Sequence, residues 1–170
     1  MKLCMVGTGY VGLVSGTCFA DIGNQVYCVD KDINKINKLN SGISPIYEPG
    51  LDELIQKNFK AKRLIFTTNI KKAIMASDII FICVGTPNKK GSLNVDLSFV
   101  YSCVKEILSF TKKKKIIVTK STVPVGTGDE IEKIIKSKKK LFSVISNPEF
   151  LREGEAIRDF RYPDRIVIGS

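Results

Sequence analysis

Apolar residues along the chain fall into two rhythms. Short unbroken runs at residues 3–6, 26–29, 64–67, 79–84, 116–119 and 142–145 have the length and β-branched character of strands. Between them apolar positions recur three and four apart, which predicts amphipathic helices. Leu13, Val14, Cys18, Phe19 and Ile22 mark the first, Ile33, Ile36 and Leu39 the second, and Leu51, Leu54, Ile55 and Phe59 the third. A short helix follows at residues 70–75. A longer one begins around Asp96 and carries Val100, Val104, Ile107 and Leu108, and a last one holds Ile131, Ile134 and Ile135. Ser41 and Gly42 stop the second helix, and Pro49 and Gly50 open the third after an irregular stretch at 43–50. Residues 166–169 read as one further strand.

Strands that alternate with helices pair in parallel, and right-handed crossovers then put helices on both faces. The prediction is one α/β domain over residues 1–170, a doubly wound parallel sheet of about six strands with Rossmann-like halves at 1–66 and 79–146. Run 79–84 is apolar enough to be buried on both faces. In such a sheet ligands lie beyond the carboxyl ends of the strands, so the turns that follow the strands are the places to look for chemistry.

The first of these turns is Gly7-Thr8-Gly9-Tyr10-Val11-Gly12, set between a strand and a helix. Gly7 permits the turn, Gly9 lets the backbone approach a pyrophosphate, and Gly12 lets the helix pack close to the strand. The helix N-terminus then aims free N–H groups and a positive dipole at the phosphates. Run 26–29 ends in Asp30, eighteen residues beyond Gly12, where a carboxylate can accept the hydroxyls of an adenosine ribose. Strand, turn, helix, second strand and terminal acid together point to dinucleotide binding. Asp30 favours NAD over NADP, because a 2′-phosphate would be repelled there. Lys31 weakens that preference a little, as does Lys35, which could reach the adenosine side.

Composition narrows the class. A hydrophobic fraction of 44% with 26% charged residues is that of a soluble globular chain, and no apolar run approaches the ~20 residues of a membrane span. The first residues run straight into the glycine turn and read as structural, not as a leader. Five cysteines at 4, 18, 28, 83 and 103 lie mostly in apolar strands or helix faces without C-x-x-C spacing. They read as small buried hydrophobes in a reducing cytoplasm, with no metal site. The net charge of +10 raises nucleic acid as a partner. Yet the lysine runs at 112–115 and 138–140 fall where solvated connecting loops are expected, and no aromatic residues interleave with them. Neither a specific nucleic acid nor a membrane is expected as partner.

Other turns on the ligand edge are Gly85-Thr86-Pro87, Ser121-Thr122-Val123-Pro124 and Asn147-Pro148-Glu149. With the glycine turn, Tyr47-Glu48-Pro49-Gly50-Leu51, the run from Asn147 through Phe150, Leu151, Arg152 and Glu153 to Gly154, and Pro163-Asp164-Arg165, the chain resembles the UDP-glucose/GDP-mannose dehydrogenases. The matching stretches span the whole chain in the family's order. The Asn147–Gly154 run and Pro163-Asp164-Arg165 favour the UDP-glucose branch.

The resemblance implies an NAD-dependent four-electron oxidation of a sugar C6 alcohol to a carboxylate, by two hydride transfers with an enzyme-bound thiohemiacetal and thioester between them. By position it implies that NAD touches Gly7, Thr8, Gly9, Tyr10, Val11, Gly12, Asp30, Lys35, Val84, Gly85, Thr86, Pro87, Asn88, Ser121, Thr122, Val123 and Glu153. Glu149, Phe150, Leu151, Arg152 and Glu153 would border the sugar. Thr122 and Glu149 would hold and activate the water that hydrolyses the thioester, a task that suits a carboxylate whose pKa is raised by partial burial.

Family members run well beyond this length. A central helix and a second α/β domain supply the nucleophilic Cys, a catalytic Lys and most of the UDP-sugar site, and nothing in residues 1–170 matches them. The expectation is therefore the NAD-binding domain of a cytoplasmic, homo-oligomeric enzyme, able to bind NAD but not to turn over sugar. Removal of the partner domain is expected to expose apolar surface near Phe150, Leu151 and Ile157. The alternatives are a UDP-N-acetylmannosamine or GDP-mannose dehydrogenase domain, a simpler two-electron dehydrogenase, a non-catalytic NAD-sensing module, and a nucleic-acid-binding protein of the same fold.

Overall fold

The computed structural model describes residues 1–89, 91 and 94–170. Six parallel strands form one sheet: β1 (Lys2–Val6), β2 (Gln25–Val29), β3 (Leu64–Thr67), β4 (Ile79–Ile82), β5 (Lys115–Thr119) and β6 (Phe142–Ser146). Their order is β3-β2-β1-β4-β5-β6. The chain winds outward from β1 in one direction, returns to β4 at its other side, and winds outward again. The crossover places a crevice between β1 and β4 at their carboxyl ends, where a dinucleotide lies in such sheets.

Alternation along each strand sorts the core. Leu3, Met5, Val26, Cys28 and Phe81 point to one face, where they pack with α1 (Tyr10–Asp21), α2 (Ile33–Asn40), α3 (Leu51–Lys60) and α7 (Ala156–Arg161). Cys4, Val6, Ile80, Ile82 and Ile117 point to the other, against α4 (Ile70–Ala76), α5 (Ser98–Phe110) and α6 (Thr127–Ile135). All five cysteines are buried in these two cores.

Four features differ from the sequence-based expectation. The lysine run 112–115 is not all solvated loop: Lys115 is the buried first residue of β5, and its ammonium donates to the carbonyl of Ser77, just past the end of α4. A lone carbonyl pair at a helix end attracts a cation, and the lysine stem is long enough to bury on the way there. Residues 166–169 do not form a strand. Gly169 makes an antiparallel bridge to Ser146 at the outer edge of β6, and Ile168 remains 68% exposed. Helix α7 was not expected. Ala156, Ile157 and Phe160 give it one apolar side, and Ile157 is only 9% exposed against the α1 face, so it is core and not open interface. Leu151 likewise packs partly into that core, whereas Phe150 is 48% exposed as expected. In the expected loop 89–92, Lys90 and Ser92 lie outside the described residues.

Candidate functional site

The glycine turn sits at the crevice. Gly7 has φ +101°, its N–H donates to Val29 O at 2.8 Å, and a Cβ there would lie 2.5 Å from the carbonyl oxygen of Cys83. Glycine is therefore required on both conformational and steric grounds. A Cβ on Gly12 would lie 1.9 Å from Gly7 O, so helix α1 can close onto the turn only without a side chain at that position. Gly9 differs. It caps α1, and beyond its own chain neighbours no heavy atom of the described residues lies within 4 Å of where its Cβ would be. The first-turn N–H groups of α1 have no intrahelical acceptor, and open space stands over them. A pyrophosphate fits that gap and satisfies those donors.

Asp30 stands beside the glycine turn at the end of β2. Its Oδ2 accepts from Thr8 N at 3.0 Å, Thr8 Oγ1 at 2.8 Å and Lys35 Nζ at 2.8 Å, and its Oδ1 accepts from Asp32 N at 3.1 Å. Burial alone would raise its pKa, but the Lys35 ammonium and these donors outweigh it and hold the carboxyl at about 2. The group is thus ionised and ready to accept ribose hydroxyls. Lys35 is an ion-pair partner of Asp30 at the end of β2, while Lys31 turns to the Phe99 ring, 5.2 Å from its centroid.

On the other half, β4 and β5 are tied together beyond their ladder. Lys120 N and Ser121 N both donate to Ile82 O, Ser121 Oγ donates to Val84 O at 2.7 Å, and Thr86 Oγ1 donates to Thr122 O at 3.0 Å. Gly85, Pro87, Asn88 and Val123 lie on the same two turns, with Pro87 O accepting from Asp96 N. The Ser121 hydroxyl proton is engaged with the backbone, so only its lone pairs face a ligand. Thr122 is exposed, and Val11 and Tyr10 begin α1 across the crevice.

Glu149 follows β6 and is half buried, and its Oε2 is buried without a hydrogen-bond partner among the described residues. It borders a cavity of about 750 Å³ that Lys120, Asn147, Phe150 and Arg152 also line. Lys120 is 6% exposed, and its Nζ donates to Asn147 Oδ1 at 3.3 Å. Burial lowers its pKa, opposed by the nearby Glu149 carboxylate. Arg152 folds back onto Asp159, with Nη2 to Oδ1 at 2.6 Å and Nε to Oδ2 at 3.0 Å, so its guanidinium secures the loop to α7. Glu153 is exposed next to it. None of the thiols is poised as a nucleophile, since burial pushes Cys18, Cys83 and Cys103 up to about 12 and raises Cys4 and Cys28 as well.

Two residues without an assigned role from the sequence emerge here. They are Lys120, which no sequence motif singled out, and Glu48, which stood only within a matching stretch. Glu48 is buried, accepts the Tyr10 hydroxyl, and accepts Gly154 N at 2.8 Å. The only hint in the sequence is a carboxylate beside Pro49-Gly50 in a stretch otherwise short of charge.

A glycine turn at a helix N-terminus, beside a second strand tipped with an ionised acid, defines a dinucleotide-binding domain of the dehydrogenase type. Over residues 1–170 the chain matches the UDP-glucose/GDP-mannose dehydrogenase family, NAD binding domain, and it belongs to that family. It is 56% identical over 171 residues to a UDP-glucose 6-dehydrogenase of Rhizobium meliloti, a match that covers 99% of this chain and 39% of that relative. A GDP-mannose dehydrogenase from Pseudomonas aeruginosa, solved as a ternary complex, superposes with a TM-score of 0.93 at 40% identity, over 99% of this chain and 41% of the other. A UDP-glucose dehydrogenase from Pyrobaculum islandicum gives 0.91 at 38% identity, over 98% and 40%. The chain thus spans about two-fifths of the length of these relatives. Its cofactor is NAD. No helix among the described residues is long and apolar enough to cross a membrane.

Proposed function

We propose that the chain is the NAD-binding part of a UDP-glucose 6-dehydrogenase, which converts UDP-glucose, two NAD and water to UDP-glucuronate, two NADH and three protons. The observation that carries this reading is the open, uncapped N-terminus of α1 beside ionised Asp30, within a chain so similar to such an enzyme throughout. Bound NAD supplies the hydride acceptor for each two-electron step. The chain's own residues hold the pyrophosphate on the α1 amides and the adenosine ribose on Asp30, and they lead the nicotinamide end toward the turns after β4 and β5.

Thr122 and Glu149 hold the hydrolytic water in this reading. The unpartnered Glu149 oxygen in the cavity beside Lys120 supports it, as a carboxylate so placed needs a donor and a water is one. The sulfur that carries the sugar lies outside this chain, because all five thiols are buried and protonated. The 170-residue domain therefore binds NAD without turning over sugar, and the remaining enzyme supplies most of the UDP-sugar site, the homo-oligomer contacts and a cytoplasmic setting.

Calorimetric titration tests the core of this. The chain is expected to bind NAD saturably and NADP more weakly, with Asp30→Ala weakening NAD about tenfold or more, in line with loss of hydrogen bonds to a charged group. A folded chain that binds no NAD would sink the reading. The high structural similarity to a GDP-mannose dehydrogenase favours a second reading in which the sugar is GDP-mannose. NADH production by the full-length protein with each nucleotide sugar decides between them.

A further inference from the structure

Glu48 is a buried carboxylate that the NAD reading does not use. It comes from the loop between α2 and α3, is 6% exposed, and its side chain reaches donors far away in sequence. Its Oε2 accepts the hydroxyl of Tyr10, the first residue of α1, and the N–H of Gly154 at 2.8 Å, while Oε1 lies 3.4 Å from Ile157 N in α7. The phenol oxygen of Tyr10 itself lies 3.0 Å from Gly154 N and 3.4 Å from Arg152 O. Gly154 has φ +86°, so the backbone turns there in a way that brings its N–H to the carboxylate. Three chain segments meet on one side chain: the glycine turn, the 149–154 loop and the start of α7.

These are the two banks of the proposed site. Tyr10 adjoins Gly9, over which the pyrophosphate fits, and Gly154 adjoins Glu153, read as an NAD contact. Arg152 ties the loop to Asp159 in α7, and Glu48 ties Gly154, two residues on, to Tyr10 of α1. The Tyr10 hydroxyl remains a donor over the whole working range, because burial and then the hydrogen bond to Glu48 raise its pKa to about 12.

We propose that Glu48, which touches neither NAD nor sugar, is a positioning residue that holds the 149–154 loop against the dinucleotide turn and so places Glu153 for NAD. The proposal rests on the NAD reading of the site. It also requires that the carboxylate, rather than any residue of that size, accept both donors. A glutamine would set an amide N–H against Gly154 N or Ile157 N, and two donors cannot pair.

The test uses this 170-residue chain, with NAD titrated calorimetrically and backbone hydrogen exchange followed without NAD. Glu48→Gln is expected to raise the NAD dissociation constant about tenfold, the loss typical of one hydrogen bond to a charged group. It is also expected to speed exchange at Gly154. Glu153→Gln should weaken NAD comparably, and the double variant should be no worse than the weaker single, since a loop without its contact gains nothing from being placed. Leu39→Ala, a core truncation in α2, controls for lost stability: it should lower the melting temperature and leave NAD affinity unchanged. Additive losses in the double variant, or the same NAD loss from Leu39→Ala, would overturn the proposal. So would unchanged exchange at Gly154 in Glu48→Gln, whatever NAD does. If the wild-type chain binds no NAD while Gly154 exchange does respond to Glu48→Gln, it is the NAD reading that fails.

Discussion

At the scale of single residues, the site depends on where charge and Cβ atoms are missing or forced. Gly12 is the sharpest case. A methyl there meets the Gly7 carbonyl at 1.9 Å, a backbone atom that cannot rotate away, so Gly12→Ala must push α1 off the turn. We expect a loss of about 1–3 kcal/mol or more, as for other overpacked sites, visible as a lower melting temperature together with lost NAD binding. Gly9→Ala, in open space, should leave stability nearly unchanged and still weaken NAD by filling the cradle.

Asp30 makes a pH prediction. Its folded pKa, about 2, lies below the ordinary value near 3.9 for an unfolded Asp. A depressed carboxyl contributes stability above the unfolded pKa and loses it as pH falls through the folded one. The stability gap between wild type and Asp30→Asn should therefore be constant above about pH 5 and close between about pH 4 and 2. Chemical denaturation across that range measures it; a gap that persists unchanged at pH 2 would show that the ion pair with Lys35 is not its source.

At the scale of elements, α7 is short and yet central. It has only six residues, too few to persist alone, and it is held by Ile157 in the α1 core, by Phe160 edge-on to Phe19 at 4.9 Å, and by Arg161 to Asp21 at 2.8 Å. Because α7 carries the anchored end of the 149–154 loop, Ile157→Ala should cost about 2–5 kcal/mol, the usual range for such a buried truncation, in a thermal melt. Sequence periodicity found the six longer helices within a few residues. It missed α7 because two apolar residues and a phenylalanine across one turn and a half are too brief a pattern to distinguish from a loop. The 166–169 run erred in the opposite direction, because three β-branched residues before a glycine read as a strand whether or not a neighbour exists to pair with them.

At the scale of the molecule, burial separates two kinds of surface. The thiols are all inside, so at pH 8 no cysteine of the native chain should react with a thiol reagent, and all five should react in denaturant. Phe150, Tyr162, Ile166, Val167 and Ile168 are by contrast open to solvent in one neighbourhood beyond β6. Such a patch has the chemistry of an interaction surface, and on the proposed function the rest of the enzyme would dock there. The isolated domain should therefore self-associate in light scattering, less so after Ile166→Ser with Ile168→Ser. A monodisperse wild-type chain would argue against that docking surface.

What the sequence by itself determined was whatever depends on neighbours within a few residues. The strand and helix rhythm set the parallel doubly wound sheet, and glycines at fixed spacing before a helix set the close turn into α1. An acid at the tip of the second strand set an ionised carboxylate beside that turn. Each is a local pattern with a local physical cause. Tertiary structure alone decided which polar residues become buried and what they meet. Lys115 reaches a helix end, Lys120 sits beneath the cavity near Glu149, and Glu48 joins Tyr10 to Gly154 across more than a hundred residues of chain. A side chain's partners at such distances follow from how the whole sheet stacks its helices, and no spacing along the chain encodes them.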